Sequence, residues 1–264
     1  MDLGIKGRRA LVLGGSKGLG YASAHALAQE GVAVAVASSS LERCTESAQA
    51  IAKETGSKAV PVVGDVSDPD NMDKAHAAAV KALGGDIDIL VNNHGGPPLG
   101  MAKDLKEADL KNQFTGMVVS MIRMTSLCFP PMVARKWGRI MFVGSSGMIQ
   151  ALPNMVLSNT LRGCIVGYCK TLASELAADN VTVNIVAPGT ILTDRSRSSN
   201  EQNAKRRGIT VEEVMAERVK TIPAGRLGDP TEYGSMVAFL AGDKSSYMTG
   251  SIWRVDGGIV RSIL

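Results

Sequence analysis

The sequence predicts an α/β fold, a doubly wound parallel sheet in a single domain with a helical lid. Three observations support this prediction. Short apolar runs rich in Val and Ile alternate with helical patterns along the whole chain of 264 residues. Strands separated by helices form right-handed βαβ units, which give a parallel sheet covered on both faces. No Pro/Ser-rich linker or internal repeat interrupts the alternation, so we expect residues 1–264 to form one domain.

The predicted elements follow one another in a regular order. Strands are expected within residues 9–15, 33–38, 59–65, 86–93, 138–146, 181–189 and 251–258. Helices are expected at residues 18–30, 41–55, 70–83, 155–178 and 231–241, and a long segment, 105–135, separates the fourth strand from the fifth. Residues 193–221 are polar and helix-prone and have no strand pattern. A long insertion after the carboxyl end of a strand indicates a substrate lid, which we place at about residues 194–221.

Composition narrows the class of protein. The formal charge of +4 is spread along the chain without a basic block flanked by aromatic residues, so we expect no nucleic-acid partner. The excess would still favour an anionic cofactor or substrate. No apolar run approaches the ~18 residues of a membrane span, so we expect a cytoplasmic protein without a membrane association. The cysteines have no metal-like spacing, so we predict no metal site and four buried thiols in a reducing compartment: Cys44, Cys128, Cys164 and Cys169.

A glycine-rich loop, LGGSKGLG at residues 13–20, joins the first predicted strand to the first helix. Glycines at 14, 18 and 20 permit a tight turn and the close approach of a pyrophosphate to the helix N-terminus. A purely structural turn is the alternative. Both flanking elements and the second strand lie at the spacing of a Rossmann-type dinucleotide site. We therefore predict a cofactor loop formed by Gly14, Ser16, Lys17, Gly18, Leu19 and Gly20.

The end of the second predicted strand favours NADP(H) as the cofactor. NAD-binding domains usually carry Asp or Glu at this point, where it accepts a hydrogen bond from the ribose 2′-hydroxyl. This chain has three serines, with Ser39 and Ser40 at the strand end and Arg43 one helical turn further on. Together with Lys17, these groups suit a 2′-phosphate. The alternative is that a serine only caps the next helix and Arg43 is solvated.

The chain resembles the short-chain dehydrogenase/reductase family over its whole length. The resemblance depends on GGSKGLG at 14–20, DV at 65–66, NNHG at 92–95, PG at 188–189 followed by Thr193, GRLGDPTEYGSMVAFL at 225–240, TG at 249–250 and VDGG at 255–258. It implies that Asp65 and Val66 meet the adenine, and that Asn92, Asn93 and Gly95 lie along the adenosine ribose. It also implies that Ile191 and Thr193 lie by the nicotinamide carboxamide and the pyrophosphate, and adds Pro188 and Gly189 to the cofactor-binding set.

The family's catalytic tetrad of Asn, Ser, Tyr and Lys is altered in this sequence. The resemblance implies that Tyr exchanges a proton with the substrate oxygen and that Lys lowers the pKa of this Tyr and holds the ribose. Aligning GRIMFVGSS with the family's strand places Ser145 at the Ser position. The usual spacing then places Ser158 at the Tyr position and Arg162 at the Lys position, while NQFTG places Gln113 at the Asn position.

These replacements change the available chemistry. A Ser hydroxyl is far less acidic than a Tyr phenol, whose reference pKa is ~10, and Arg cannot exchange protons near neutrality. Ser145 and Ser158 could still polarise a carbonyl. His94 stands where the family usually has Ala and is a candidate proton carrier, although packing beside the adenosine half of the site is the alternative.

The sequence therefore predicts an NADP(H)-dependent oxidoreductase that interconverts a carbonyl and an alcohol with a non-standard tetrad. A cofactor-binding homologue without redox activity, or a non-redox enzyme on the same scaffold, are the alternatives. The resemblance implies a homo-oligomer, a tetramer or a dimer. Basic residues in the lid suggest an anionic small-molecule substrate, although a solvated helix face is the alternative: Arg195, Arg197, Lys205, Arg206 and Arg207.

Overall fold

Seven parallel strands form one sheet in the order β3-β2-β1-β4-β5-β6-β7. The computed structural model describes residues 1–263, so Leu264, the last residue of the predicted domain, lies outside the described residues. The sheet confirms the predicted doubly wound α/β fold. The strands are β1 Arg9–Val12, β2 Ala33–Ser38, β3 Ala59–Val63, β4 Ile89–Asn92, β5 Gly138–Val143, β6 Val181–Pro188 and β7 Ile252–Val255.

The helices lie close to their predicted positions. They are α1 Gly18–Gln29, α2 Leu41–Thr55, α3 Pro69–Leu83, α4 Glu107–Phe114, α5 Ser120–Ala134, α6 Val156–Leu176, α7 Asp194–Arg207, α8 Val211–Lys220 and α9 Pro230–Ala241. The lid segment contains α7 and α8. In the long segment 105–135, a π-helical turn at Thr115–Val119 joins α4 to α5.

Local chemistry explains where several helices begin and end. Asp68 caps α3 by accepting a hydrogen bond from the Asp70 amide at 3.0 Å, and Pro69 occupies the first helical position. Pro is favoured there because its missing N–H would have no intrahelical partner. Gly56 ends α2 and Gly84 ends α3 with φ of 71° and 81°, a left-handed conformation that glycine adopts without a steric cost. These signals are readable from the sequence, which is why the predicted helix bounds are nearly right.

The core lies on both faces of the sheet. Alternate β1 residues face opposite sides, so Leu11 belongs to the cluster under α3, α5 and α6, and Val12 to the cluster under α1, α2 and α9. The prediction that all four thiols are buried is wrong for Cys164, which is exposed. Cys164 lies on the outer face of α6, whereas Ile165 and Cys169 on the same helix face the sheet.

One helical segment, Glu107–Ala134, is long and apolar enough to cross a membrane by length and composition. The buried part of its most apolar window is 44%. Met121 and Met124 of this segment pack in the core against the sheet. A core helix of a globular α/β domain has the same length and composition, so the segment alone does not indicate a membrane span.

Candidate active site

The glycine loop lies at the carboxyl edge of the sheet, where the strand order reverses between β1 and β4. Gly14 and Gly18 have φ of 56° and 58°, values that residues with a side chain rarely adopt. A Cβ atom at Gly20 would lie 2.1 Å from the Gly14 carbonyl oxygen, so only glycine permits α1 to begin this close to the loop. The Asn93 side-chain amide donates to the same oxygen at 3.2 Å. The loop is therefore held tightly against the end of β4.

The start of α1 offers unpaired donors to an anion. Lys17 occupies the capping position with extended backbone and makes no side-chain cap within the described chain. The amide groups of the first turn therefore carry the partial positive charge of the helix terminus without a protein partner. The exposed Lys17 side chain adds a full charge beside them. These residues fit the pyrophosphate of a dinucleotide.

The three serines at the end of β2 have different roles. Ser40 caps α2 by accepting a hydrogen bond from the Arg43 amide at 3.3 Å, as the structural alternative predicts. The buried Ser38 hydroxyl donates to the Ser40 carbonyl oxygen at 3.0 Å. Ser39 and the side chain of Arg43 are exposed. Of the residues expected at a ribose 2′-phosphate, Ser39, Arg43 and Lys17 therefore have exposed side chains.

Asn92, expected along the adenosine ribose, has a side chain that is engaged elsewhere. It is fully buried, and its amide donates to the Thr125 hydroxyl of α5 at 2.9 Å. Only the backbone of Asn92 is therefore left for the expected contact to the ribose, which stays a prediction. Asp65, expected near the adenine, forms a turn in which its carboxylate accepts from the Ser67 amide at 2.9 Å. Gly95 has open space where a side chain would be.

The segment after β6 connects the lid to the glycine loop. Gly189 packs against the chain after β7, because a Cβ on it would lie 2.6 Å from the Cα of Asp256. Ile191 pairs with Gly228 in an isolated parallel bridge. Thr193 caps α7 by accepting from the Ser196 amide at 3.3 Å, and its Cβ is 3.7 Å from the Cβ position of Gly18. Thr193 therefore lies beside Gly18 of the glycine loop, and the contacts of Pro188, Gly189, Ile191 and Thr193 with a cofactor stay predictions.

The residues at the tetrad positions lie around the ends of β5 and α6. The Ser145 hydroxyl oxygen accepts a hydrogen bond from the Gly147 amide at 3.1 Å, which leaves its own O–H to donate. Ser158 is 2% exposed and makes no side-chain hydrogen bond within residues 1–263. Gln113 is partly exposed in the last turn of α4, before the π-helical turn.

Arg162 is buried deeply beneath the cleft. Its side chain donates to the carbonyl oxygen of Val143 at the end of β5, and its Nε atom is buried without a partner in the described residues. Burial, with a smaller contribution from the nearby charge of Arg195, lowers the pKa of Arg162 to about 10. The guanidinium stays charged at neutral pH. It supplies a fixed positive charge and no exchangeable proton.

Tyr233 of α9 is a neighbour of Arg162 that the sequence prediction missed. Its hydroxyl is fully buried and donates to the Val186 carbonyl oxygen at 3.0 Å. Burial raises the pKa of Tyr233 above its ordinary value, so this phenol stays neutral. No local signal in the sequence distinguishes it from a core residue of an amphipathic helix.

His94 lies within the cleft. Its Nδ1 atom is hydrogen-bonded to the Gly95 carbonyl, an acceptor, so the proton of the neutral ring is on Nδ1 and the free lone pair is on Nε2. Nε2 would be 2.9 Å from a Cβ at Gly116, so the missing side chain in the π-helical turn makes room for it. Burial lowers the pKa of His94, with smaller effects from Gly95, Arg162 and Arg195.

Of the basic residues in the lid, Arg195 reaches the cleft. Its Nη2 donates to the Pro97 carbonyl oxygen at 3.2 Å, and its Nη1 lies 2.3 Å from the Cβ position of Gly96. Arg207 instead pairs with Glu217 in two hydrogen bonds of 2.6 and 2.8 Å. Arg206 donates to Asn203 at 3.1 Å. Arg197 and Lys205 are exposed on α7. The predicted basic cluster is therefore divided, with one member at the site.

The fold and the site define a class of protein. A parallel sheet whose strand order reverses beside an uncapped helix terminus and a glycine loop is a nucleotide-cofactor-binding α/β domain. Within residues 1–263 no group of three His, Cys, Asp or Glu side chains could hold a metal ion.

Comparisons with known proteins identify the family. A family model described as Enoyl-(Acyl carrier protein) reductase matches residues 14–260. The chain is 33% identical over 259 residues to 3-oxoacyl-(acyl-carrier-protein) reductase FabG of Vibrio cholerae, covering 97% of this chain and 99% of that protein. It is 34% identical over 261 residues to the oxidoreductase UcpA of Escherichia coli, covering 96% and 95%.

A solved structure agrees with these relatives. The crystal structure of L-sorbose reductase from Gluconobacter frateurii, complexed with NADPH and L-sorbose, superimposes with a TM-score of 0.94 at 28% identity, covering 100% of both chains. The chain belongs to the short-chain dehydrogenase/reductase family and is an oxidoreductase-type enzyme of that class.

Proposed function

We propose that this protein is an NADP(H)-dependent oxidoreductase that interconverts a carbonyl and an alcohol without the Tyr–Lys pair of its family. The observation that carries the proposal is the group of exposed hydroxyl and cationic side chains beside the end of β2: Ser39, Arg43 and Lys17. Ser38, and not a carboxylate, ends β2. This arrangement favours a 2′-phosphate over a free 2′-hydroxyl.

Most of the site residues would bind the cofactor or orient the substrate. The cofactor, when bound, supplies or accepts the hydride. Lys17 and the first turn of α1 would hold its pyrophosphate. The Ser145 hydroxyl, oriented by the Gly147 amide, would donate to the substrate oxygen, and Ser158 would provide a second hydroxyl at the end of the cleft. Donors fixed in advance stabilise the negative charge that develops on a carbonyl oxygen during reduction.

Arg162 would supply the positive charge that Lys supplies in the family, and His94 would supply the proton that Tyr supplies. Arg162 contributes positive potential near the reacting oxygen, because its charge is buried and has no carboxylate within 4 Å among residues 1–263. In its protonated, imidazolium form His94 would supply the proton from Nε2 and return to the neutral ring, whose Nδ1–H stays bonded to Gly95. An imidazole is the side chain best suited to proton transfer near neutral pH.

Two further features of the protein are proposed on the same basis. Exposed apolar side chains on the α4–α5 segment support a homo-oligomer, a tetramer or a dimer, as the family resemblance implies. Phe114 is 40% exposed and Val119 is 39% exposed. The placement of Arg195 in the cleft supports an anionic substrate.

Cofactor choice is the first test of this proposal. Replacing Arg43 with Ala should weaken NADPH binding by roughly tenfold or more, because a charge-assisted contact to the 2′-phosphate is lost, and should leave NADH binding unchanged. Calorimetric titration of both cofactors measures the ratio. Lys53→Ala on the same helix, which is exposed in the last turn of α2, is the matched control. Equal losses for both cofactors would contradict the assignment.

Tight NADPH binding without oxidation by any of a panel of carbonyl compounds would contradict redox activity.

The role of His94 gives a second test. Burial lowers the pKa of His94 below its ordinary value of 6.5, so the acid form is populated only at lower pH. The rate of carbonyl reduction should therefore fall as the pH rises through this pKa. His94→Gln should lower kcat by about 10²-fold and remove this limb of the pH profile. His25→Gln, at an imidazole that pairs with Glu54 outside the cleft at 2.9 Å, should behave as wild type. An unchanged rate and pH profile in His94→Gln would remove the proposed role.

A further inference from the structure

We propose that Arg195, together with His94 and Arg162, forms a carboxylate-binding subsite, so that the substrate is a small carbonyl compound carrying a carboxylate, such as a 2-oxo acid. This inference rests on the proposed function, because it assigns a substrate class to the same cleft. It goes further in naming one lid residue as the group that determines specificity.

The position of Arg195 is the first observation. Arg195 lies in the first turn of α7, yet its guanidinium crosses the cleft to the turn at residues 96–97. Gly96 leaves room for this contact, since a Cβ there would lie 2.3 to 2.6 Å from three guanidinium atoms in their present position. One N–H group is engaged by the Pro97 carbonyl oxygen. The other N–H groups of the guanidinium have no hydrogen-bond partner in the described chain, and they form the fork that a carboxylate accepts.

A second cation, Arg162 of α6, lies near the same residues. Arg162 is 7% exposed, and its buried Nε atom has no partner within residues 1–263. A buried N–H group without an acceptor destabilises the fold, and a bound anion would supply the missing acceptor. The two guanidinium groups come from different helices, α6 and α7, and His94 lies close enough for the charge of each to lower the pKa of its imidazole.

The positive charges of Arg195 and Arg162 are not paired with a carboxylate within residues 1–263. Asp65 acts on His94 from a distance, and its own carboxylate accepts hydrogen bonds from Ser67 at 2.8 and 2.9 Å. The unbalanced positive charge therefore favours a substrate with a negative group beside the reacting carbonyl. The pyrophosphate of the cofactor would lie elsewhere, at the glycine loop.

Two probes of the same shape test the subsite. Oxamate is a non-reducible analogue of a 2-oxo acid, and oxamide is its neutral counterpart. Calorimetric titration of the NADPH-loaded protein should show oxamate binding at least about tenfold more tightly than oxamide. Arg195→Ala should weaken oxamate binding by about tenfold or more, and Arg195→Lys should restore part of it. Arg197→Ala, at an exposed residue of the same helix, should bind oxamate as wild type does.

The outcomes separate this inference from the proposed function. Equal affinities for oxamate and oxamide, or wild-type oxamate affinity in Arg195→Ala, would overturn the subsite even if NADPH binds tightly. Displacement of oxamate by NADPH would also overturn it, because the cations would then belong to the cofactor site. Failure to bind NADPH would overturn the proposed function alone. The titration with oxamate is repeated on the cofactor-free protein, so the subsite is still tested in that case. Unfolding midpoints of each variant establish that the exposed Arg195 position tolerates the changes.

Discussion

Replacing Arg162 with Met is expected to reduce kcat/KM for carbonyl reduction by about 10²-fold while changing the free energy of unfolding by no more than about 1 kcal/mol. The catalytic loss follows from removing the positive charge beneath the reacting oxygen. Stability is preserved because two contributions oppose each other. A buried guanidinium without a carboxylate partner is costly, and an apolar side chain of similar volume removes that cost. The Val143 carbonyl oxygen loses its donor, which costs about 1 kcal/mol.

Urea unfolding and steady-state kinetics on the same preparations measure the two effects. Arg162→Lys is the matched variant, because it keeps the positive charge and introduces the Lys that the family usually has at this position. It should retain more activity than Arg162→Met and show a different pH dependence. If Arg162→Met instead loses about 3–5 kcal/mol of stability and keeps its kinetics, Arg162 holds the fold and does not serve the reaction.

Replacing Gly20 with Ala is expected to weaken NADPH binding by about 10²-fold or more and to destabilise the fold by about 3 kcal/mol. The added Cβ would be 2.1 Å from the Gly14 carbonyl oxygen and 2.8 Å from its carbonyl carbon. Both are backbone atoms, so relief requires the loop or α1 to shift. Either movement disturbs the alignment of the first-turn amides on which pyrophosphate binding depends.

Urea unfolding and titration with NADPH check this expectation. Gly163→Ala is the control, because the Cβ position of Gly163 on α6 has no neighbouring atom within 4 Å. There the substitution should stabilise the helix by about 0.5–1 kcal/mol and leave NADPH binding unchanged. Wild-type stability and affinity in Gly20→Ala would contradict the close contact that the loop geometry shows.

Local patterns explain why most of the fold is predictable. Val-rich runs and helix caps such as Asp68 with Pro69 depend on residues that are neighbours in the sequence. Such local interactions favour the same local structure in any protein. The cofactor half of the site is predictable for the same reason. The glycine loop and the helix N-terminus that would bind a pyrophosphate are adjacent in the sequence. Residues 14–20 are therefore enough to predict this part of the site.

The reaction half of the site depends on elements distant in the sequence, and there the predictions are less complete. Ser145, Ser158 and Arg162 are located by spacing, but the sequence gives no sign that Arg162 is buried and bonded to Val143. Asn92 is next to Asn93 in a single motif, yet one is in the core and the other supports the glycine loop. Cys164 and Cys169 face opposite ways on one helix. Burial depends on what packs against a residue, which a local pattern does not contain.

Residue types and their spacing are enough to predict the sheet, the glycine loop, the serines and Arg43 after β2, and the absence of YxxxK in the expected place. These features depend on residue type and short spacing, which folding does not change. The folded chain is needed to see that Arg195 is the lid cation in the cleft, how His94 is held, and that Arg162 has a buried donor without a partner within residues 1–263. Each of these depends on contacts between α6, α7 and the turn after β4. Such contacts exist only when the packed sheet brings these elements together.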